Sequence, residues 1–393
     1  MHEAAHLAAE YSSRGPCTTG RVSHPGARDP REPISTFERY RTLRALDPQR
    51  ISLGIHLHLP DDCHLQDRQL RQAYVRALLN EAALTRRHLA GRPLLEQLYV
   101  YGNAGLFAQH DLQRLFSGLG DSLQLASNNF AWFNIEIHSG QADWSTLGVL
   151  RDAGFNRITL HASNDLQATQ SLYEAARALQ YCTITLVLPA TLEERESLLQ
   201  LALRLQPDRL VLENRLNGKG ASRADSGRPE ERLLTGAGYA QAGPGIFVFP
   251  DDELIEYPLP FQTGSQLREP VTLGLGAGAV SQLGALVYRN TQTLQDYIHA
   301  LQDNDLPAAL GHRDGLDEQV RRVLLLLLEC RRSLDIPQLE RHFGISFASH
   351  FAGELPQLEA LARQGVIRLS ATRLEVLQQG SRAVSRLARI LGG

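Results

Sequence analysis

Two histidines, His56 and His58, lie two residues apart in an apolar run, and Cys63 and His64 follow shortly after them. If the run is a β-strand, side chains at i and i+2 share a face, and the next loop can bring a thiol and a third imidazole close. Imidazole and thiolate are the ligands that zinc prefers, and either can bind haem iron. These four residues are therefore metal-ligand candidates. The alternative, which we favour because spacing alone does not establish convergence, is that the histidines line the interior of the fold and the other two lie in a solvated loop.

A carboxylate, Glu136, lies near the end of another apolar run, WFNIEIH (132–138). At the end of a buried strand such a group can bind the amine or hydroxyl of a small molecule. A helix cap or an ion pair would account for it equally well. The segment Gly274–Gly278 has the spacing of a phosphate-binding loop, but no Lys-Ser/Thr pair follows it, so tight backbone packing is the better interpretation.

The composition limits the classes of protein to which these residues can belong. The chain has 393 residues, with 40 basic and 43 acidic side chains and a net charge of −3. A general polycation that binds nucleic acid or membrane surfaces is thereby excluded. The four cysteines are far apart and form no CxxC pair, so neither a disulfide scaffold nor a thiol cage within one segment is expected. No signal peptide pattern and no bilayer-spanning apolar run is present, which predicts a cytoplasmic protein.

Short apolar runs alternate with helical stretches between residues 51 and 213. The runs are ISLGIHLHL (51–59), LEQLYVY (95–101), WFNIEIH (132–138), NRITLHA (156–162), CTITLVL (182–188) and DRLVLE (208–213). Repetition of strand, helix and strand requires parallel pairing with crossover connections, and nearly continuous hydrophobicity indicates a sheet covered by helices. An α/β fold follows, either a partial or full barrel or an open doubly wound sheet. In each case chemistry is expected at the carboxyl ends of the strands.

From about residue 317 the pattern becomes helical. Helices predicted at 317–332, 336–344 and 353–364 precede two short strands, VIRLS and LEVL, and a last basic helix. Three helices followed by a hairpin are typical of a winged-helix domain. The chain is therefore divided into a partly disordered N-terminal arm (1–48), an α/β domain (49–300) and a C-terminal domain (301–393).

Four segments carry a resemblance to a known family. They are LRDAGFNRITL (150–160), GYAQAGPGIFVFPDDEL (238–254), LGLGAGAVS (273–281) and SHFAGELPQLEALARQGVI (349–367). Through them the chain resembles the oxygen-independent coproporphyrinogen III oxidases over about residues 50–393. The resemblance implies a partial (β/α)6 radical-SAM-type barrel with a C-terminal helical, winged-helix-like domain. It also implies a [4Fe–4S] cluster and S-adenosylmethionine (SAM) as cofactors.

The cluster motif of that family, C-x-x-x-C-x-x-C after the first strand, is absent. In the family three cysteines hold three irons, and the fourth iron binds SAM. The three positions are occupied by Asp62, Gln66 and Gln69 in one alignment and by Pro60, His64 and Asp67 in the other. Cys63 is the single thiol of this loop in either case. The sequence thus predicts that the cluster site is lost.

The glycine-rich SAM loop of the family, G-G-G-T-P, is replaced here by the segment around Tyr101–Gly105. Gly102, Asn103 and Gly105 keep part of its small-residue character, and Glu136 matches the acidic residue at the end of the family's third strand. These four residues are the predicted remnant of the SAM pocket. The Asp of a later family strand is Thr185 here. The departures fall on the cofactor side of the barrel, whereas the retained motifs are mostly architectural.

We therefore expect a catalytically degenerate relative of these oxidases that binds haem or porphyrin, or regulates haem metabolism, without SAM radical chemistry. The reason is that a protein without cluster ligands has no electron donor to SAM. The expected partners are a tetrapyrrole or a protein of haem metabolism, and the protein is expected to be a monomer.

Two alternatives stay open. The first is an active enzyme that converts coproporphyrinogen III to protoporphyrinogen IX with an atypical cluster, which would take Cys63 with His56, His58, His64 or a partner's thiols as ligands. The second is a winged-helix DNA-binding regulator that uses the arginines of the last helix. The basic excess of the C-terminal domain is small, so nucleic acid is not an expected partner.

Overall fold

A computed structural model describes residues 32–46, 51–59, 67–89, 97–102, 104–123, 131–189, 192–213, 229–243, 245–256, 262–263, 266–267, 269–377 and 381–392. The chain divides into two compact units. The barrel unit contains Pro30–Glu213 and Glu269–Arg313, and the second unit contains Asn214–Arg268 and Asp314–Gly393. The chain thus leaves the barrel unit after residue 213 and returns to it at residue 269.

Short strands and helices alternate along the chain. The strands are β1 (Glu32–Ile34), β2 (Ile51–Leu59), β3 (Gln97–Gly102), β4 (Trp132–His138), β5 (Arg157–His161), β6 (Thr183–Leu188), β7 (Arg209–Leu212), β8 (Ala240–Gly243), β9 (Ile246–Val248), β10 (Gln262–Thr263), β11 (Gln266–Leu267), β12 (Glu269–Leu275), β13 (Val280–Leu283), β14 (Leu286–Asn290), β15 (Ala309–Arg313), β16 (Ser333–Asp335), β17 (Ile367–Leu369) and β18 (Arg373–Val376). The helices are α1 (Thr36–Ala45), α2 (Arg68–His88), α3 (Gln109–Leu123), α4 (Trp144–Asp152), α5 (Leu166–Ala178), α6 (Leu192–Leu205), α7 (Pro229–Gly236), α8 (Glu253–Glu256), α9 (Leu294–Gln302), α10 (Leu316–Arg331), α11 (Ile336–Phe343), α12 (Phe347–His350), α13 (Leu355–Arg363) and α14 (Ser381–Leu391). The six strands predicted between residues 51 and 213 correspond to β2–β7, which confirms that prediction.

Side-chain caps determine where several helices of the barrel unit begin. Ser35, Asp67, Asp143 and Asp165 precede α1, α2, α4 and α5, and each accepts a hydrogen bond from a backbone N–H of the first turn. Such caps satisfy amides that have no acceptor within the helix.

Among the described helices, none combines the length and the apolar character that a membrane crossing requires.

The sheet of the barrel unit is mainly parallel. Strands β2–β7 pair in sequence order, each parallel to the next. On the other side of β2 lies β12, also parallel, and β13, β14, β15 and β1 continue the sheet in antiparallel pairs. Parallel pairing brings the carboxyl ends of β2–β7 to one edge. Among the described strands no pairing closes this sheet on itself, so the barrel is partial, as expected.

The two faces of this sheet differ in chemistry. One face carries buried apolar side chains such as Leu98, Phe133, Ile158 and Leu186. Helices cover this face, since Phe133 contacts Phe155 and Phe155 contacts Phe116 of α3. The other face carries buried polar side chains: Tyr99, Asn134, Glu136, Arg157, Thr159, Thr183, Thr185 and Arg209. Strands β3–β7 therefore alternate with a period of two, which differs from the nearly continuous hydrophobicity expected from the sequence.

The second unit contains the helical C-terminal region. The helices predicted at 317–332, 336–344 and 353–364 correspond to α10, α11 and α13, and the two predicted strands correspond to β17 and β18. With β16 these strands form a sheet in the order β16–β18–β17. The core of this region includes Leu324, Leu339, Phe351, Leu374 and Leu387. The expected winged-helix-like arrangement is therefore present.

The predicted domain boundaries at residues 48 and 300 stay a prediction. Residues 32–34 and 36–45 of the predicted arm form β1 and α1, and β1 pairs with β15 within the barrel unit. Residues 301–313 also belong to the barrel unit. Residues 1–31 lie outside the described part of the chain.

Candidate functional site

The carboxyl ends of β3, β4 and β5 bring Glu136 together with three other residues. The Tyr99 hydroxyl donates a hydrogen bond to Glu136 Oε1. The Gly102 backbone N–H donates to Glu136 Oε2 at 3.3 Å, and His161 Nε2 lies 3.5 Å from the same oxygen. Glu136 is 4% exposed, so these protein groups replace most of the water around its carboxylate. We call Tyr99, Gly102, Glu136 and His161 the Glu136 cluster.

A second imidazole covers His161. The rings of His138 and His161 stack with centroids 4.5 Å apart and an interplanar angle of 13°. The two residues lie opposite each other in the register of β4 and β5. The Ser139 N–H donates to the His161 carbonyl at 2.9 Å, which holds the backbone at the end of β5. The His161 ring is therefore held between a buried carboxylate and a parallel ring.

Glu136 also belongs to a row of polar side chains across the interior of the barrel. In the strand register Glu136 lies opposite Thr159, Thr159 opposite Thr185, and Thr185 opposite Arg209. All four residues are buried. The Thr185 hydroxyl has no hydrogen-bond partner among the described residues. The position at which the family carries an Asp thus holds a buried, neutral hydroxyl.

The residues predicted as the remnant of the SAM pocket are only partly brought together. Gly102 contacts Glu136 and has a φ of +97°, a conformation that favours glycine. At Gly105 a Cβ would lie 2.5 Å from the Gln141 carbonyl oxygen, so this glycine allows a close backbone approach. Asn103 lies outside the described residues. Ligand binding by these residues stays a prediction.

The metal-ligand candidates are described only in part. The backbones of His56 and His58 lie in β2, opposite Tyr99 and Tyr101 of β3. Cys63 and His64 lie outside the described residues. Within the described part of the chain, no group of three or more His, Cys, Asp or Glu side chains is arranged to hold a metal ion. Metal binding by His56, His58, Cys63 and His64 therefore stays a prediction.

The glycine-rich segment Gly274–Gly278 packs against α2. The Gly276 N–H donates to Glu81 Oε2 at 2.8 Å, and the Ala277 N–H donates to the Tyr74 hydroxyl at 3.0 Å. These amides are engaged by side chains of the barrel unit, whereas a phosphate loop directs its amides at a ligand. The contacts support the packing interpretation of this segment.

Glu81 holds this part of the barrel unit together. Its carboxylate also accepts hydrogen bonds from Asn290 Nδ2 at 2.8 Å and from the Tyr297 hydroxyl at 2.6 Å. Burial raises the pKa of Glu81, and the hydrogen bonds from Tyr297 and Gly276 oppose that shift. Arg39 of α1 donates to Asn290 Oδ1 at 3.3 Å. Asn290 and Tyr297, which follow the glycine-rich segment in the sequence, thus stabilise the packing of the barrel unit.

Tyr99, His161 and Glu81 were not among the residues predicted from the sequence. A signal for His161 exists, because NIEIH and RITLH both end in histidine at the carboxyl ends of consecutive predicted strands. For Glu81 no local signal exists. Its partners Gly276 and Tyr297 lie 195 and 216 residues away in the chain.

Known proteins match this chain over nearly its whole length. The HemN C-terminal domain family matches residues 316–382. The oxygen-independent coproporphyrinogen III oxidase of Pseudomonas aeruginosa is 30% identical, and the match covers 96% of this chain and 92% of that protein. The protein of the same name from Synechocystis sp. is 26% identical, with 81% of this chain and 77% of that protein covered.

A solved structure has the same architecture. Coproporphyrinogen III oxidase (HemN) from Escherichia coli, described as a radical SAM enzyme, superposes with a TM-score of 0.77 at 21% identity. The superposition covers 91% of this chain and 94% of that one. The radical-SAM-type fold expected from the sequence is thereby confirmed.

Proposed function

Since the chain belongs to the family of the oxygen-independent coproporphyrinogen III oxidases, we propose that it is a member that has lost radical-SAM chemistry and binds a porphyrin or haem. In this role it acts as a carrier or a regulator of haem metabolism, as a monomer or with another protein of that metabolism. The observation that carries the proposal is the cysteine content of the loop after β2, where a single thiol stands in place of three.

The residues of this chain do not fit the cluster of a radical-SAM enzyme. Such a cluster takes three cysteine thiolates and supplies an electron to SAM. Cys182 directly precedes β6, so it lies at the amino end of that strand, at the opposite edge of the sheet from Glu136. Cys330 belongs to α10 of the second unit. The two remaining thiols, Cys17 and Cys63, are too few for the three positions.

The contacts of Glu136 also support the loss of SAM binding. Tyr99, Gly102 and His161 already surround its carboxylate. A ligand amine that approached Glu136 Oε2 would compete with the His161 ring, whose Nε2 lies 3.5 Å from that oxygen. The protein's own groups thus compete with any ligand for this acid.

Two findings support a tetrapyrrole as the ligand. The relatives are named for coproporphyrinogen, which is a tetrapyrrole, and the match to the Pseudomonas aeruginosa protein spans more than nine-tenths of both chains. The interior of the barrel keeps a polar face rather than an apolar one.

Anaerobic reconstitution with iron and sulfide tests the loss of the cluster, with the Pseudomonas aeruginosa relative treated in parallel. We expect iron and acid-labile sulfide far below one cluster per chain, and neither cleavage of SAM nor oxidation of coproporphyrinogen III. A stoichiometric cluster that cleaves SAM would overturn the proposal and restore an active enzyme.

Titration with haem and with coproporphyrin III tests the ligand. Both tryptophans, Trp132 and Trp144, belong to the barrel unit, so quenching of their fluorescence reports binding there. We expect saturable quenching and a shifted Soret band with one site per chain. If neither compound binds, the tetrapyrrole role is refuted, whatever the reconstitution shows.

A further inference from the structure

The position of His161 beside Glu136 points to what occupies the remnant pocket. We propose that Glu136, the Tyr99 hydroxyl and the Gly102 N–H form a site for a small organic cation, an imidazolium or a primary ammonium, and that the His161 side chain is its built-in occupant. The inference deepens the proposed function. It rests on that function only in treating this pocket as the remnant of a SAM site.

A carboxylate that is 4% exposed has lost most of its hydration and requires hydrogen bonds and a countercharge in compensation. Tyr99 and Gly102 supply neutral donors. His161 can bring a positive charge to Glu136, because its Nε2 lies 3.5 Å from Oε2.

The side chain of His161 is 13% exposed, so the ring fills space inside the protein. One side of the ring stacks on His138 at 4.5 Å, and its Nε2 faces Glu136. Removal of the ring therefore leaves a cavity of imidazole size with an aromatic wall and a carboxylate. Free imidazole has the shape and the charge to fill it.

The test replaces His161 by glycine in the full-length protein and adds imidazole at neutral pH. The variant His161→Gly is expected to have a lower Tm than the wild type, because the buried carboxylate loses one of its partners. Imidazole should restore part of that Tm in a saturable manner and should bind the variant in calorimetry, whereas the wild type should bind none. Methylammonium is the second probe, for the primary ammonium class.

The matched control is His138→Gly, which removes the other ring of the stack. Its cavity is also lined by an imidazole ring, that of His161, which stays in place beside the Glu136 carboxylate. Imidazole should bind it at least about tenfold more weakly, since a contact of about 1.4 kcal/mol changes affinity tenfold. The double variant His161→Gly with Glu136→Gln should likewise lose the tight binding.

Two further variants keep the test decisive if His161→Gly does not fold. His161→Ala leaves a smaller cavity and should show the same order of imidazole binding relative to His138→Ala. His161→Gln keeps an N–H donor near Glu136 and should respond to neither probe. Equal binding by the His138 variants, or no binding by both His161→Gly and His161→Ala, would overturn the inference. These results involve neither a cluster nor a tetrapyrrole, so their failure is distinguishable from failure of the proposed function.

Discussion

Replacement of Glu81 by alanine should destabilise the barrel unit strongly. Glu81 is 2% exposed and accepts three hydrogen bonds, from Gly276, Asn290 and Tyr297. These donors come from the glycine-rich segment, from β14 and from α9. The carboxylate therefore connects α2 to three other parts of the unit.

The magnitude follows from the donors that lose their acceptor. In Glu81→Ala the Gly276 N–H and the Tyr297 hydroxyl are left without Glu81, whereas Asn290 Nδ2 keeps a bond to the Gly276 carbonyl at 3.0 Å. An unsatisfied buried donor costs about 1–3 kcal/mol. Two such donors predict a loss of about 2–6 kcal/mol, a large part of the about 5–15 kcal/mol typical of a domain. Glu81→Gln keeps one acceptor oxygen and should cost about half as much.

Urea unfolding followed by tryptophan fluorescence measures this loss, because Trp132 and Trp144 both lie in the barrel unit. The matched control is Glu174→Ala, which removes an exposed glutamate that is hydrogen-bonded to Gln170 within α5. The free energy of unfolding of the control should lie within about 0.5 kcal/mol of that of the wild type. The reasoning is refuted if Glu81→Ala and Glu174→Ala unfold at the same urea concentration.

The same group predicts a pH dependence. Burial raises the pKa of Glu81 above its ordinary 4.5 in the folded state. Between the two pKa values the folded state holds a proton that the unfolded state has released, so stability falls as the pH rises. This contribution is complete below pH 4.5 and is lost as the pH passes the folded-state pKa. The substituted side chain does not titrate, so the free energy of unfolding of Glu81→Gln, measured against pH, should lack this contribution.

Two further stability predictions use the same unfolding experiments. Gly105→Ala should cost about 1–3 kcal/mol, because the new Cβ would lie 2.5 Å from the Gln141 carbonyl oxygen. Its control, Gly148→Ala in α4, has nothing within 4 Å and should stabilise by about 0.5–1 kcal/mol, so equal effects of the two would contradict the packing role of Gly105. In the second unit, hydrogen bonding from Arg321 lowers the pKa of Asp317, so the stability it contributes is present above pH 3.8 and is lost as the pH falls through the lowered pKa. Asp317→Asn should remove this acid-dependent loss in the free energy of unfolding, followed by circular dichroism. The change should be less than about 1 kcal/mol, because the side chain is 52% exposed. An unchanged dependence on pH would exclude Asp317 as its source.

The elements of both units could be predicted because their signals are local. The run TITLVL at 183–188 reads as a strand from its β-branched content, and it forms β6 over those residues. The helices of the second unit were equally readable from their periodicity, and α11 ends at Phe343 immediately before Gly344 in a left-handed conformation. The two-faced character of β3–β7 was less readable, because threonine and tyrosine suit a strand whichever way they face.

The site could be predicted only in part. Glu136 was identified as an acid at a strand end, yet its partners Tyr99 and Gly102 lie 37 and 34 residues earlier on another strand. The register that brings them together depends on how β3 and β4 align, which no local pattern specifies. The histidine stack follows from the register of β4 and β5 in the same way.

The amino-acid sequence by itself determined the order of the elements, the kinship and the cysteine deficit, because each is a property of residues taken one by one or in short runs. The tertiary structure alone decided which groups surround the carboxylates of Glu136 and Glu81. Those partners are set by parallel strand register and by the docking of α2, and they are separated by between 25 and 216 residues along the chain. Hydrophobic periodicity states which face of an element is buried, but it does not state which residue of a distant element meets it.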